Sequence, residues 1–260
     1  MTVSGLHVDV EDRIARVTID NPERRNVMSQ AVFESLVEYY DRFDHDDDVW
    51  AVVVTGTGQQ AFSAGRDLKE LRDRDAAGQG AHIPMRGSAR NVFEAVYECR
   101  KPTIAAINGW AIGGGLELAL ACDLRVAADH AKIAFTESKR GMGANFGSAL
   151  LPRLVPTAIA YEMLYLGEPM TAQQAAHWGL INRVVPADEL AAAAEELAQT
   201  IISRAPLTVR RCKAMIQKSR ELPLSAAVRL DPSPNPYVSD DRVEGVQAFL
   251  EKREPQWRAR

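Results

Sequence analysis

The sequence predicts an α/β protein in which parallel strands are covered by helices. Three observations carry this reading. Strand-length apolar runs alternate with helix-length amphipathic segments, the order that βαβ units produce. WAVVVTG at 50–56 is apolar without alternation, as a strand covered on both faces is. The 260 residues, 46% apolar and 25% charged, suffice to bury a sizeable core.

In chain order, LHVDVED and RIARVTID alternate apolar and polar residues and predict half-buried strands. NPERRN breaks the pattern. Ser29 is a side-chain cap for a helix over 30–43, with Val32, Phe33, Leu36, Val37 and Tyr40 on one face. DHDDD is a turn before the strand at 50–56. GQQAFSAGRDLKEL predicts a loop entering a short helix, and DRDAAGQGAHIP a polar surface loop. A helix is expected over 85–100, then a strand at 102–108, then the glycine-rich GWAIGGGLELALACD, then strand DLRVAA and a short strand KIAF. From Pro152 onward the pattern is mostly helical. Thr171 and Gln174 form a capping box with Gly179 as a stop, 187–203 and 240–252 predict helices, and DPSPNP at 231–236 is a connector.

The net charge of −4 and the lack of a basic stripe argue against nucleic acid as a partner. The longest apolar stretch, near 103–122, is interrupted by Asn108, glycines and Glu117, so no membrane span is expected. Cys99, Cys122 and Cys212 are far apart, without a CxxC or a Cys/His cluster, so no metal site is expected and a reducing cytoplasm fits. The five histidines are scattered and read as surface or structural residues.

GWAIGGGLELALACD at 109–123 places three adjacent glycines before an apolar helix that holds one carboxylate, Glu117. The spacing is not GxGxxG and no GK[ST] follows, which excludes dinucleotide and P-loop readings. Two readings stay open: glycines that permit close packing of strand and helix, or a helix start whose free N–H groups hold a developing oxyanion. Glu117, among apolar neighbours, is a candidate acid/base with a raised pKa, although a carboxylate in a first helical turn also suits the dipole. Glu137 follows 20 residues later, and the intervening strand, turn and strand can bring it back toward the helix start.

Several segments in order resemble the enoyl-CoA hydratase/isomerase (crotonase) family. They are NPERRN at 21–26, AFSAGRDLKE at 61–70, KPTIAAINGWAIGGGLELALACDLRVAA at 101–128 and AKIAFTESKRGMG at 131–143. GEPMTAQQAAHWGLINRVV at 167–185 and SDDRVEGVQAFLEKREP at 239–255 continue the match. The resemblance implies a crotonase spiral of ββα units, with an α/β core over 1–200 and a C-terminal helical trimerisation region over 201–260. It implies a homotrimer or a hexamer built as two trimers. It also implies an acyl-CoA thioester substrate, with coenzyme A as part of the substrate and no separate cofactor.

By that resemblance, the N–H groups of Arg66 and Gly114 form the oxyanion hole. Glu117 activates the water and Glu137 delivers a proton to the α-carbon, the lyase chemistry of an enoyl-CoA hydratase in fatty-acid β-oxidation. The implied CoA and substrate contacts are Arg24, Asn26, Ala64, Asp67, Leu68, Trp110, Gly113 and Gly141, with Phe249 and Lys252 from the C-terminal helix. Arg25 shares the Arg24 loop, and the Arg66 side chain is expected to contact a CoA phosphate. Met142, Asn145 and Phe146 depart from the Gly/Pro-rich run usual near Gly143, which bears on the acyl pocket. Retention of both glutamates favours hydration. The alternatives are a Δ3–Δ2 isomerase, a specialised acyl-CoA dehydratase, or a non-catalytic acyl-CoA- or RNA-binding protein.

Overall fold

The computed structural model describes residues 3–79 and 90–260. The strands are β1 (Leu6–Glu11), β2 (Ile14–Ile19), β3 (Ala51–Gly56), β4 (Ala61–Ser63), β5 (Thr103–Ile107), β6 (Trp110–Ile112), β7 (Leu124–Ala128), β8 (Lys132–Ala134), β9 (Met170–Thr171) and β10 (Arg183–Val185). The helices are α1 (Gln30–His45), α2 (Leu68–Ala76), α3 (Val92–Glu98), α4 (Gly114–Ala121), α5 (Asn145–Leu150) and α6 (Thr157–Leu166). They continue with α7 (Ala172–His177), α8 (Leu190–Ile202), α9 (Pro206–Ser219), α10 (Leu224–Ala227) and α11 (Asp240–Glu251).

The strands form two sheets, ordered β1-β2-β3-β5-β7-β10 and β4-β6-β8-β9. The chain visits them alternately: β3 then β4, β5 then β6, β7 then β8. Each pair is followed by helix, so every turn of the chain adds one strand to each sheet, a spiral of ββα units. Pairing is parallel from β2 to β10 in the larger sheet, with Val17 opposite Val54 and Val54 opposite Ala105. β4, β6 and β8 are also parallel, and β9 closes the smaller sheet antiparallel. β5, apolar after Thr103, is buried along its full length, the environment its sequence demands.

The capping chemistry matches its sequence signals. The Ser29 hydroxyl accepts the Val32 N–H, and Thr171 with Gln174 closes a reciprocal box at α7. α1 buries Val32, Phe33, Leu36, Tyr40 and Phe43, each large apolar side chain contributing about 1.5–3 kcal/mol. α8 covers β3, β5 and β7 through small residues such as Ala194 and Ala198, which let the helix approach closely. α9 is tied to the core by Lys213, whose Nζ donates to Asp123 Oδ2 at 2.7 Å and to the Lys101 carbonyl at 3.0 Å.

The structure differs from the sequence reading in several places. β4 and β6 were not anticipated, because three-residue strands are too short to display a period. The helix expected over 85–100 is α3, Val92–Glu98, opened by an Asn91/Glu94 capping box; residues 85–89 lie outside the described residues. The polar loop begins later than expected, since α2 extends to Ala76, and its 80–84 portion is also outside the described residues. Among the described residues no helix is long and apolar enough to cross a membrane.

Candidate active site

The site forms where the two sheets hand the chain over to α4. β6 ends at Ile112, Gly113 turns the chain with φ +55°, and α4 starts at Gly114. The Gly113 N–H donates to the Ala134 carbonyl at 2.9 Å, so β8 fixes the helix entry. A helix start leaves N–H groups without intrahelical acceptors, and the Gly114 N–H has no recorded backbone acceptor among the described residues.

The SAG turn lies directly opposite. Gly65 has φ +80°, and a Cβ there would come 2.8 Å from the Ile112 carbonyl and 3.0 Å from the Gly114 nitrogen. Only glycine fits both the dihedral and the space. A Cβ on Gly114 would in turn sit 3.8 Å from the Arg66 nitrogen. The Arg66 and Gly114 nitrogens therefore face one small region, and the Arg66 N–H also has no recorded backbone acceptor among the described residues.

Two carboxyls border that region. Glu117, in the first turn of α4, is 6% exposed, and its Oε1 accepts the Gly147 N–H at 2.8 Å. Burial raises its pKa to about 7, and the nearby charge of Glu137 adds to the rise. Glu137 is 9% exposed, with its Oε1 packed against Gly113, where a Cβ would lie 2.8 Å away. Burial raises its pKa too, and its Oε2 is buried without a hydrogen-bond partner among the described residues. The Gly147 N–H works against that rise at Glu117, but burial outweighs it.

An aromatic wall closes the same corner. Phe93 and Phe146 have ring centroids 5.7 Å apart, and Phe146 meets Tyr97 at 6.1 Å. The tip of Phe93 is 3.5 Å from the point where a Gly114 side chain would begin.

The other predicted residues divide by location. Arg24 and Asp67 form a two-pronged ion pair, both bonds at 2.5 Å, and Asp67 also caps α2 through the Lys69 and Glu70 N–H groups. The pair holds the Asp67 carboxyl below the usual carboxylate range. An open hollow of about 560 Å³ lies beside it, edged by Lys69, Glu70 and Arg74. Leu68, the first residue of α2, is exposed. Ala64 is tied by its N–H to the Arg25 carbonyl at 2.9 Å. Asn26 is buried, its amide committed to the Ala61 and Thr57 carbonyls and to the Asn21 N–H, so it holds the loop together.

The Arg66 side chain bends back onto α1, donating to Gln30 Oε1 at 3.0 Å with its guanidinium 5.4 Å from the Phe33 ring centre. Trp110 stands at the head of β6, with the Lys132 ammonium 5.4 Å from its ring centre. Gly141 caps the short helical turn that carries Glu137, donating to the Glu137 carbonyl. Met142 is partly exposed, and Phe146 is in the aromatic wall. Phe249, 83% exposed, and Lys252 lie on and just after α11, and among the described residues no side-chain hydrogen bond or ion pair ties either to this region. Sequence reasoning missed Gly147 and Ser63. Ser63 was legible as part of the SAG turn, whereas Gly147 carries no local signal because its role is made across the fold.

The family model described as enoyl-CoA hydratase/isomerase matches residues 9–260. The chain belongs to the enoyl-CoA hydratase/isomerase family. It is 38% identical to the carnitinyl-CoA dehydratase of Citrobacter koseri, over 98% of this chain and 99% of that one. It is 37% identical to the same-named protein of Salmonella heidelberg over the same shares. Among solved structures, the enoyl-CoA hydratase from Bacillus anthracis superposes with a TM-score of 0.87 at 32% identity, covering 99% of this chain and 100% of that one. The enoyl-CoA hydratase from Mycobacterium tuberculosis H37Rv gives 0.87 at 34% identity, covering 98% and 99%. The crotonase fold is therefore the fold of this chain, and its chemistry is that of a crotonase-family enzyme acting on acyl-CoA.

Proposed function

We propose that this enzyme adds water reversibly across the double bond of a 2-trans-enoyl-CoA, giving a 3-hydroxyacyl-CoA. The observation that carries this is the meeting of two buried carboxyls, Glu117 and Glu137, at a helix start beside two uncommitted N–H groups. In the addition, Glu117 takes a proton from water as the oxygen bonds to the β-carbon. The π electrons pass to the thioester oxygen, and the N–H groups of Arg66 and Gly114 hold the resulting enolate. Losing one such donor typically costs about 3–4 kcal/mol of transition-state stabilisation. Glu137 then gives its proton to the α-carbon, so one water is consumed and the carboxyls exchange one proton with solvent to reset.

The nucleotide end is assigned to the rim around Arg24, Ala64, Asp67 and Leu68, where a guanidinium suits phosphate. A homotrimer or a dimer of trimers is part of the reading, supported by the exposed Val243, Val246, Phe249 and Leu250 on α11. The test is crotonyl-CoA with the conjugated absorbance followed in time. Loss of absorbance by the wild type, abolished in Glu117→Gln and Glu137→Gln, is the expected result; no loss refutes the reading.

A second reading is the dehydration direction on a 3-hydroxyacyl-CoA bearing a quaternary ammonium group. It is favoured by the carnitinyl-CoA dehydratase relatives and by the Phe93–Phe146–Tyr97 wall, because aromatic faces bind such cations. Comparing kcat/KM for carnitinyl-CoA and 3-hydroxybutyryl-CoA separates the two.

A further inference from the structure

We propose that Ser63 is a positioning residue for the oxyanion site, latching the peptide that presents the Arg66 N–H. The inference rests on the oxyanion reading above and goes beyond it.

Ser63 is 0% exposed, and its hydroxyl is fully used. It donates to the Asn26 carbonyl at 2.7 Å and accepts the Gly65 N–H at 3.1 Å. Next along the chain, the Gly65 carbonyl accepts the Met28 N–H at 2.8 Å. In a trans peptide the C=O and the following N–H point opposite ways. With the Gly65 carbonyl pinned toward Met28, the Arg66 N–H is turned to the other side, toward Gly114. Ser63 and Met28 thus hold the two ends of Gly65, a residue whose left-handed backbone would otherwise be free to rotate.

Asn26 makes the latch rigid. Its own side chain is anchored to the Ala61 carbonyl at 2.7 Å and the Thr57 carbonyl at 3.0 Å, so the acceptor offered to Ser63 does not drift. Ser63 also abuts the other half of the site. A Cβ on Gly115 would meet the Ser63 carbonyl at 2.2 Å and the Ser63 Cβ at 2.9 Å. One residue therefore sets the spacing between the Gly65–Arg66 peptide and the start of α4. Ser63→Ala keeps the packing against Gly115 and removes only the latch.

The test is the ionisation of bound acetoacetyl-CoA, whose enolate absorbs in the near ultraviolet, measured in wild type, Ser63→Ala, Ser63→Cys and Thr103→Val. Thr103, the first residue of β5, is a control: its buried hydroxyl bonds Asp123, beyond the far end of α4. Wild type is expected to ionise the ligand at lower pH than in water. Ser63→Ala is expected to move that pH back toward the free value and to lower kcat about 10- to 100-fold. KM and butyryl-CoA affinity are expected to change less than about threefold, since groups that hold only the transition state leave ground-state binding intact. Ser63→Cys is expected to fall between the two and Thr103→Val to match wild type in ionisation.

Ser63→Ala with wild-type ionisation and kcat overturns the proposal. So does an equal change in Thr103→Val, or wild type that leaves the ionisation unperturbed. Wild type that fails to hydrate crotonyl-CoA, yet lowers the ionisation pH in a Ser63-dependent way, supports the latch while removing the hydratase reading.

Discussion

The Gly147 N–H donates to Oε1 of Glu117 at 2.8 Å, joining two residues 30 positions apart through the first turn of α5. A Cβ on Gly147 would lie 2.5 Å from the ring of Phe135, which is itself buried. Gly147→Ala must therefore shift α5 and loosen its hold on Glu117. The expected outcome is a loss of about 100-fold in kcat with a lowered Tm, measured by steady-state kinetics and thermal melts.

Glu117→Gln and Glu137→Gln test the acid and base roles proposed for the two carboxyls. Each removes one proton-transfer group, so kcat in hydration is expected to fall about 100- to 10,000-fold in either variant. A reaction that needs one carboxylate alone, such as double-bond migration, would survive in one of them. Assaying both variants with 2-enoyl- and 3-enoyl-CoA distinguishes the cases.

Burial of Glu117 has a signature in folding. Its pKa is raised to about 7 in the folded protein, so the native state holds a proton that the unfolded chain releases near 4.5. Stability is therefore expected to fall as pH rises between these values, by about 3 kcal/mol at most from this group. Glu117→Gln keeps an acceptor for the Gly147 N–H without the charge. Urea titrations at pH 5 and pH 8 are expected to show a smaller loss in the variant than in the wild type.

The Arg24 guanidinium is held by both carboxylate oxygens of Asp67, and the proposed reading gives it the nucleotide end of the substrate. Arg24→Ala is expected to raise KM for a CoA thioester about 10-fold while leaving the pantetheine thioester, which lacks the nucleotide, unaffected. Equal effects on both substrates would place Arg24 in loop structure instead. Asp67→Asn retains the cap on α2 and isolates the ion pair.

Much of the architecture is legible locally. Apolar runs mark β3, β5 and β7, Ser29 and Thr171 mark helix starts, and the spacing of NPERRN, SAGRD and GWAIGGGLELALACD carries the family resemblance. β4 and β6 were not legible, because three residues between turn-forming segments are too few to show a period. The placement of the Arg66 side chain was not legible either. Its guanidinium lies over Phe33 and against Gln30, which reach it only because α1 packs beside the SAG turn.

The sequence by itself determined the alternation of strand and helix, the glycines that permit left-handed turns at Gly65 and Gly113, and the two glutamates. Each is a property of a residue and its near neighbours: backbone freedom, periodic burial or an ionisable group. The tertiary structure decided that the Arg66 and Gly114 nitrogens come together at one small region, that Gly147 holds Glu117, and that Asn26 serves as an anchor for Ser63. Those facts depend on how the ββα turns stack. Long-range packing sets which orphan donors meet which buried carboxyls, and no local pattern encodes that distance.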